Sequence, residues 1–552
     1  MIDISSLPTL PQAAADSGED VPVHFRLDDA SPEAETGSAI GPLHRYRYER
    51  KMGDSELAYY LPSRQTGVND MYLHLGFRAP ERIVRRSRVC TVWAILRVRH
   101  PMLCARVEMN DLGDVGFIYD APASPEDAYR DADVHLECRT QSKEELIDAH
   151  LNGSRTLSNS RLSYLIISEP PSAQAQLPTP PRTPSPTNRI IEDSFTSGGE
   201  NGTEYRREYK FLLCTTHFVG DGMALHQFGD DFFALLAGGR PDNELECVLR
   251  EEWHTRWRVP PGTLSQQRLV GGQTFPRQTH SERHSIITTV TFTTERTQTI
   301  LRNCKAHGVS ISAALFAICN LAWARMGVGG DKTAPTLMYS ALNLRPYFSP
   351  ECARPAPWDS YWYLALGYFH VVLPSFLSSD PALLERTFWL RARQAKEQSI
   401  RAARSPLAAS RTHEMARERA DRAREQGVWV ASCSSTRHRS DANSPPKTSV
   451  LPQRAKVSSA AFIDLSMLGN LDGIYKHAGF PDAELHTLTT GSRQRHGAML
   501  LLAYTFKDRL RIILGYDSNG FEGDVVNRFS PQAGPPSIFQ IGLLNVGKLS
   551  EG

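Results

Sequence analysis

No CxxC pair, no regular cysteine spacing and no GxSxG elbow occur in these 552 residues. The nine cysteines are scattered from Cys90 to Cys433, which argues against a zinc site or a disulfide framework and for small core residues in a reducing compartment. Without the elbow, a serine nucleophile has no support. Charge of one sign is also lacking: the net charge is +1 and there is no long basic block, so the electrostatic footprint of a nucleic-acid binder is missing. No apolar run approaches the roughly 18 residues needed to span a bilayer. The opening MIDISSLPTLPQAAADSGED has neither a basic start nor an apolar core. The expectation is a cytoplasmic protein with no membrane contact. The glycosylation sequons at Asn152 and Asn201 are then chance matches.

What is present is enough for two ordinary domains with insertions, since 40% of the residues are hydrophobic. The most informative stretch runs from Lys210 to Gly239, KFLLCTTHFVGDGMALHQFGDDFFALLAGG. Its apolar start, Phe211 to Cys214, predicts a strand that delivers His217 into a turn holding Gly220, Asp221 and Gly222. Leu225, Phe228, Phe232 and Leu236 then recur at helical spacing, and Gly238 and Gly239 close the helix. A strand, turn and helix in this order hold an imidazole on rigid elements at a sheet end.

Around this stretch the chain divides by composition. Residues 1–42 are acidic and rich in Pro and Ala, the mark of a disordered leader, and residues 43–245 form a first lobe. Within it, RYRYERKMGDSELAYYLPS predicts a strand, Glu81 to Arg97 a helix, Lys143 to Leu151 a helix and Ser163 to Ser168 a strand. The Pro-, Ser- and Thr-rich residues 170–202 read as a disordered insertion. Residues 246–281, around Trp253 and Trp257, read as a linker, and residues 282–529 as a second lobe. Here Ile311 to Met326 is apolar nearly all round, as a buried helix would be. Thr336 to Leu344 and Tyr363 to Leu373 predict strands, Pro381 to Arg401 a helix, and AMLLLAYTF with RLRIILGYD a hairpin turning at Lys507-Asp508. Residues 404–456 are rich in Arg, Ser and Pro and read as a second disordered insertion with one charged helix-like piece from Arg411 to Gln426. Residues 530–552 form a tail.

His217, Asp221 and Gly222 together spell HxxxDG, and on these residues the chain resembles the coenzyme A-dependent acyltransferase and condensation-domain superfamily. Further points of similarity are an RHPxL turn at Arg99 to Leu103, LNLRP at Leu342 to Pro346, and SMLGN at Ser466 to Asn470, which resembles the floor-loop segment of condensation domains. The resemblance implies an α/β fold of two chloramphenicol-acetyltransferase-like lobes. Their sheets are mostly antiparallel, and a tunnel lies at the lobe interface.

It also implies roles. His217 is the expected general base, since a neutral alcohol is a poor nucleophile and an imidazole can take its proton. Asp221 is expected to pair with Arg345 of the other lobe, which also suits a buried carboxylate that needs a partner. Gly222 leaves room for substrate and offers its N–H to an oxyanion, and Ser340 is a further oxyanion candidate. His100 reads as a turn residue before Pro101. No metal is expected. No cofactor is expected to stay bound, with acyl-CoA as co-substrate, a small hydroxylated acceptor as partner and a monomer as the acting form.

Thr216 stands where peptide-synthetase condensation domains usually carry a second histidine, and DFGWG, usual in plant acyltransferases, is absent. The type that is left resembles stand-alone fungal O-acyltransferases such as trichothecene O-acetyltransferases. The expected function is transfer of an acyl group, acetyl first, to a secondary metabolite. Two alternatives are a condensation-like enzyme fed by a carrier-protein thioester and an inactive scaffold of the same fold.

Overall fold

A computed structural model describes residues 47–109, 114–170, 206–255, 282–326, 335–347, 360–377, 380–435, 463–521 and 525–529. The leader at 1–42, the insertion at 170–202 beyond its first residue, most of the 246–281 linker and the 530–552 tail lie outside the described residues.

Beside a three-stranded sheet of Arg47–Lys51, Val115–Asp120 and Arg106–Met109, two larger sheets carry the fold. The first has five strands in the spatial order Glu484–Ser492, Met71–Pro80, Arg206–Thr215, Ser163–Ser168, Leu136–Arg139, all antiparallel except the last pair. Side chains alternate across it. Leu73, Leu75 and Phe77 join Phe211 and Leu213 in a core with Trp93, Phe228 and Phe232 of the helices Arg86–Arg99 and Gly222–Ala237. Tyr72, Leu212 and Cys214 face the other way, under the helix Lys143–Asn152.

The second sheet has six strands, in the order Leu366–Leu373, Thr336–Asn343, Ile463–Asn470, Met499–Phe506, Arg509–Asp517, Ser285–Thr291. The pairs on either side of Ile463–Asn470 are parallel and the rest antiparallel. Its core is built on the helix Ile311–Met326, which is buried on most of its circumference, as its unbroken apolar run requires. The hairpin turn falls at Lys507 and Asp508, whose φ values of 52° and 56° are those of a two-residue turn that follows the sheet twist.

The structure departs from the sequence reading in four places. The expected first strand is confined to Arg47–Lys51, and residues 54–66 of the same segment form a helix. Glu56 takes the Gly53 N–H at 2.9 Å to open it, Gly67 at φ 68° closes it, and the paired tyrosines and Pro62 are what disguise it in the sequence. The helix Asp242–Thr255 carries the first lobe beyond residue 245, with Arg99 Nε donating to Glu252 at 2.8 Å. The strand Glu484–Ser492, from deep in the second half, pairs with Met71–Pro80 and completes the first sheet.

The fourth departure lies in the insertion assigned to 404–456: its helix-like piece, expected from Arg411 to Gln426, is the helix Ala408–Ser435, but it packs on the fold instead of looping out. Its buried stripe is Ala408, Thr412, Met415, Ala416 and Ala420, residues too small or polar to register as an apolar face. A Cβ on Gly367 of the strand below would stand 2.6 Å from Thr412 Oγ1, so this glycine is what lets the helix settle on the sheet.

Candidate active site

The strand Arg206–Thr215 ends two residues before His217, and Asp221 caps the helix Gly222–Ala237 by accepting from the N–H groups of Met223 and Ala224 at 3.1 and 3.2 Å. Between them the turn folds back. His217 Nδ1 lies 3.0 Å from the Gly220 carbonyl oxygen. A carbonyl cannot donate, so Nδ1 carries the proton and the lone pair of the neutral ring is on Nε2. The imidazole is half-buried, with the ring of Tyr59, from the helix Asp54–Thr66, 4.4 Å away. Burial holds its pKa below the ordinary histidine value, Arg419 pushes the same way, and the Asp221 carboxylate pulls against both.

Asp221 is almost wholly enclosed, and every bond it makes is structural. Arg345 Nη1 donates to both carboxylate oxygens, and the Ala365 N–H donates to Oδ2 at 2.9 Å. Arg345 spends its Nη2 on the carbonyls of Tyr361 and Tyr363, at 3.2 and 3.0 Å. The pair therefore ties the turn that aims His217 to the segment entering the strand Leu366–Leu373 of the second sheet. Proton relay from Nδ1 is not available to Asp221, since that nitrogen is already bonded to Gly220.

The two glycines of the turn differ. A Cβ on Gly220 would stand 2.9 Å from Trp362 Nε1, so close packing demands glycine there. A Cβ on Gly222 would meet only Leu468 Cδ2, at 3.4 Å, so packing alone does not. Leu468 reaches this point because the SMLGN segment carries a β-bulge between Met467 and Gly469, with Gly469 at φ 78°. This bulge is the floor beneath the helix N-terminus.

Ser340 does not join the site. It sits opposite Phe369 in the antiparallel pair, and Phe369 packs into the second core against Phe316. Opposite residues share a face, so Ser340 points into that core, whereas its neighbour Ala341 shares the other face with Tyr368. Periodicity in a strand fixes which residues alternate but not which face meets the cleft.

His100 is buried against Tyr361, with Nδ1 2.8 Å from Ser360 Oγ, in keeping with a packing role. Trp362 is fully buried on Phe228, and Tyr361 donates its hydroxyl to Asp231 at 2.7 Å.

Sequence reasoning missed Tyr59, Tyr368 and Arg419. The hydroxyls of Tyr59 and Tyr368 meet across the two lobes, and the Arg419 guanidinium lies over both rings, 5.5 and 4.9 Å from their centroids. Their convergence depends on three segments far apart in the chain, and no local pattern announces it.

No family model matches the sequence, and no curated protein matches it. Solved structures do. The trichothecene 15-O-acetyltransferase of Fusarium sporotrichioides superposes with a TM-score of 0.62 at 13% identity, over 90% of this chain and 95% of that one. Polyketide synthase associated protein 5 of Mycobacterium tuberculosis gives 0.52 at 11%, over 91% and 98%. The first condensation domain of the CDA synthetase gives 0.51 at 10%, over 91% and 96%. With two sheets joined through the HxxxDG turn, this chain has an α/β, chloramphenicol-acetyltransferase-like fold shared with these acetyltransferase and condensation-domain structures.

Proposed function

We propose that the protein is an acyl-CoA-dependent O-acyltransferase that moves an acyl group, acetyl first, to a hydroxyl of a small secondary metabolite, with His217 as general base. The observation that carries this reading is the bond from His217 Nδ1–H to the Gly220 carbonyl, which leaves Nε2 unprotonated on a half-buried ring. In this reading coenzyme and acceptor approach from opposite mouths of a passage between the lobes. The acceptor O–H gives its proton to Nε2 as its oxygen attacks the thioester carbonyl. The tetrahedral oxyanion is met by the Gly222 N–H, in a first helical turn that lacks intrahelical partners for its N–H groups. Collapse expels the coenzyme A thiolate, which recovers the proton from the imidazolium. No covalent acyl-enzyme and no metal enter this sequence, and the enzyme acts as a cytoplasmic monomer. Likeness to a fungal acetyltransferase supports an acetyl donor, while likeness to a condensation domain keeps a carrier-protein donor as the alternative outcome.

The test is release of free coenzyme A from a panel of acyl-CoAs in the presence of hydroxylated acceptors. Turnover should fall about a hundredfold or more in His217→Ala with the fold intact. Wild-type rates in that variant remove the base assignment. An inert acyl-CoA panel beside an active acyl carrier protein replaces the coenzyme assignment with the condensation-like one.

A further inference from the structure

The bond from Nδ1 to the Gly220 carbonyl fixes one corner of the His217 ring. A ring held at one corner can still turn about its Cβ–Cγ bond, whose torsional wells are broad. The plane of the imidazole, and with it the direction of the Nε2 lone pair, has to be set by a further contact. Tyr59 makes that contact. Its ring centroid is 4.4 Å from that of the imidazole and the two planes are inclined by only 30°, so the phenol lies along one face of the base. The next residue, Tyr60, meets Phe218 edge-on at 5.3 Å, so the helix Asp54–Thr66 grips the turn at two successive residues.

The far end of the Tyr59 ring is held from the other lobe. Its hydroxyl is hydrogen-bonded to that of Tyr368, which stands on the strand Leu366–Leu373 of the second sheet and packs against the first core. Tyr59 is almost wholly enclosed, so its hydroxyl would be costly to leave without a partner. The Arg419 guanidinium lies over both rings, and aromatic faces attract a cation placed there, which clamps the two tyrosines together. One stretch of the second lobe thus reaches the base by two routes. The Ala365 N–H and Arg345 hold the turn through Asp221, and Tyr368 holds the imidazole face through Tyr59.

Resting on the acyltransferase reading, we propose that Tyr59 is a positioning residue for His217 and that Tyr368 acts through it. Tyr368 anchors the phenol ring, and the ring keeps the imidazole plane at the angle at which Nε2 takes the acceptor proton. A base set in advance spends nothing on reorientation when substrate arrives.

NMR spectra of the full-length chain, isotopically labelled at the histidine Cε1 carbons, test this without any substrate. The His217 signal is the one missing from His217→Ala. Tyr59→Leu should move it by removing a ring current, and Tyr368→Phe, which keeps both rings and deletes only the anchoring hydroxyl, should move it as well. A His217 signal left in place by Tyr368→Phe overturns the proposal. Kinetics with acetyl-CoA and the acceptor selected in the coenzyme A release assay give the second reading. Tyr59→Phe and Tyr368→Phe should each lower kcat about threefold to tenfold, the worth of one hydrogen bond, and leave KM unchanged. Because both remove the same bond, the double variant should be no slower than either single one. An unchanged kcat in the folded Phe variants reduces the pair to packing and overturns the proposal, as do losses that multiply in the double variant. If the signal moves as expected but acetyl-CoA is inert with every acceptor, the positioning contact stands and the acyl-CoA reading falls.

Discussion

Arg345 Nη1 reaches both carboxylate oxygens of Asp221, at 3.1 and 2.9 Å, joining an acid on the first lobe's HxxxDG turn to a base that follows a strand of the second sheet. Asp221 is the more enclosed partner, with 2% of its side chain accessible against 21% for Arg345, so loss of the arginine strands a buried charge. Either single alanine variant should cost about 3 to 5 kcal/mol, and the double variant less than the sum. A double-mutant cycle in urea gives the coupling. Additive losses would mean that the pair does not act as one.

The acid limb of kcat/KM should lie below the ordinary histidine pKa of about 6.5, because burial and Arg419 both disfavour the protonated imidazole. Removing the cation in Arg419→Gln should move the limb to higher pH. A wild-type limb above the ordinary value, or one that Arg419→Gln leaves in place, contradicts this account of His217.

Stability should fall on acidification from two histidines that take no part in the chemistry. Burial presses the pKa of His150 and of His226 down to about 3, with Arg493 adding to the effect at His150. Between the unfolded value of about 6.5 and those folded values, the unfolded chain binds protons that the native chain refuses, so stability is fully present above the upper limit and is lost as pH falls. Each histidine contributes about 1.4 kcal/mol per pH unit in that window. Urea midpoints at neutral pH and near pH 5 measure it. Equal midpoints would rule it out.

Composition alone predicts that residues 404–456 can be deleted. The buried stripe of Ala408–Ser435 predicts the opposite, namely that deleting 405–455 abolishes activity while deleting 170–202 spares it. Ala420→Glu places a carboxylate at a fully enclosed position and should cost about 2 to 4 kcal/mol. Activity that survives the 405–455 deletion would reduce the helix to ornament.

Much of the site was legible because it is local. HxxxDG lies on one strand, turn and helix whose apolar spacing is plain, and the second sheet's hairpin carries its own turn signal. Arg345 was reachable only through resemblance, since no spacing links it to a residue 124 positions away. What stayed hidden depends on placement across the fold. Ser340 was assigned to the cleft because alternation does not say which face is which. The packing of helix Ala408–Ser435, though not its helical character, stays hidden because alanine and threonine make a good contact surface but a poor hydrophobic signal. Helix Asp54–Thr66 was lost because tyrosine pairs favour strands and its capping glutamate signals only in context.

The passage of Glu484–Ser492 back into the first sheet also bears on how the protein is made. During synthesis the Met71–Pro80 strand has its partner Arg206–Thr215 available long before its other neighbour, Glu484–Ser492, has left the ribosome. An unpaired apolar edge is a template for pairing with other chains. A gene truncated between the two lobes would therefore yield a half-protein with one sheet edge exposed, and that fragment should aggregate unless the missing strand is supplied in trans.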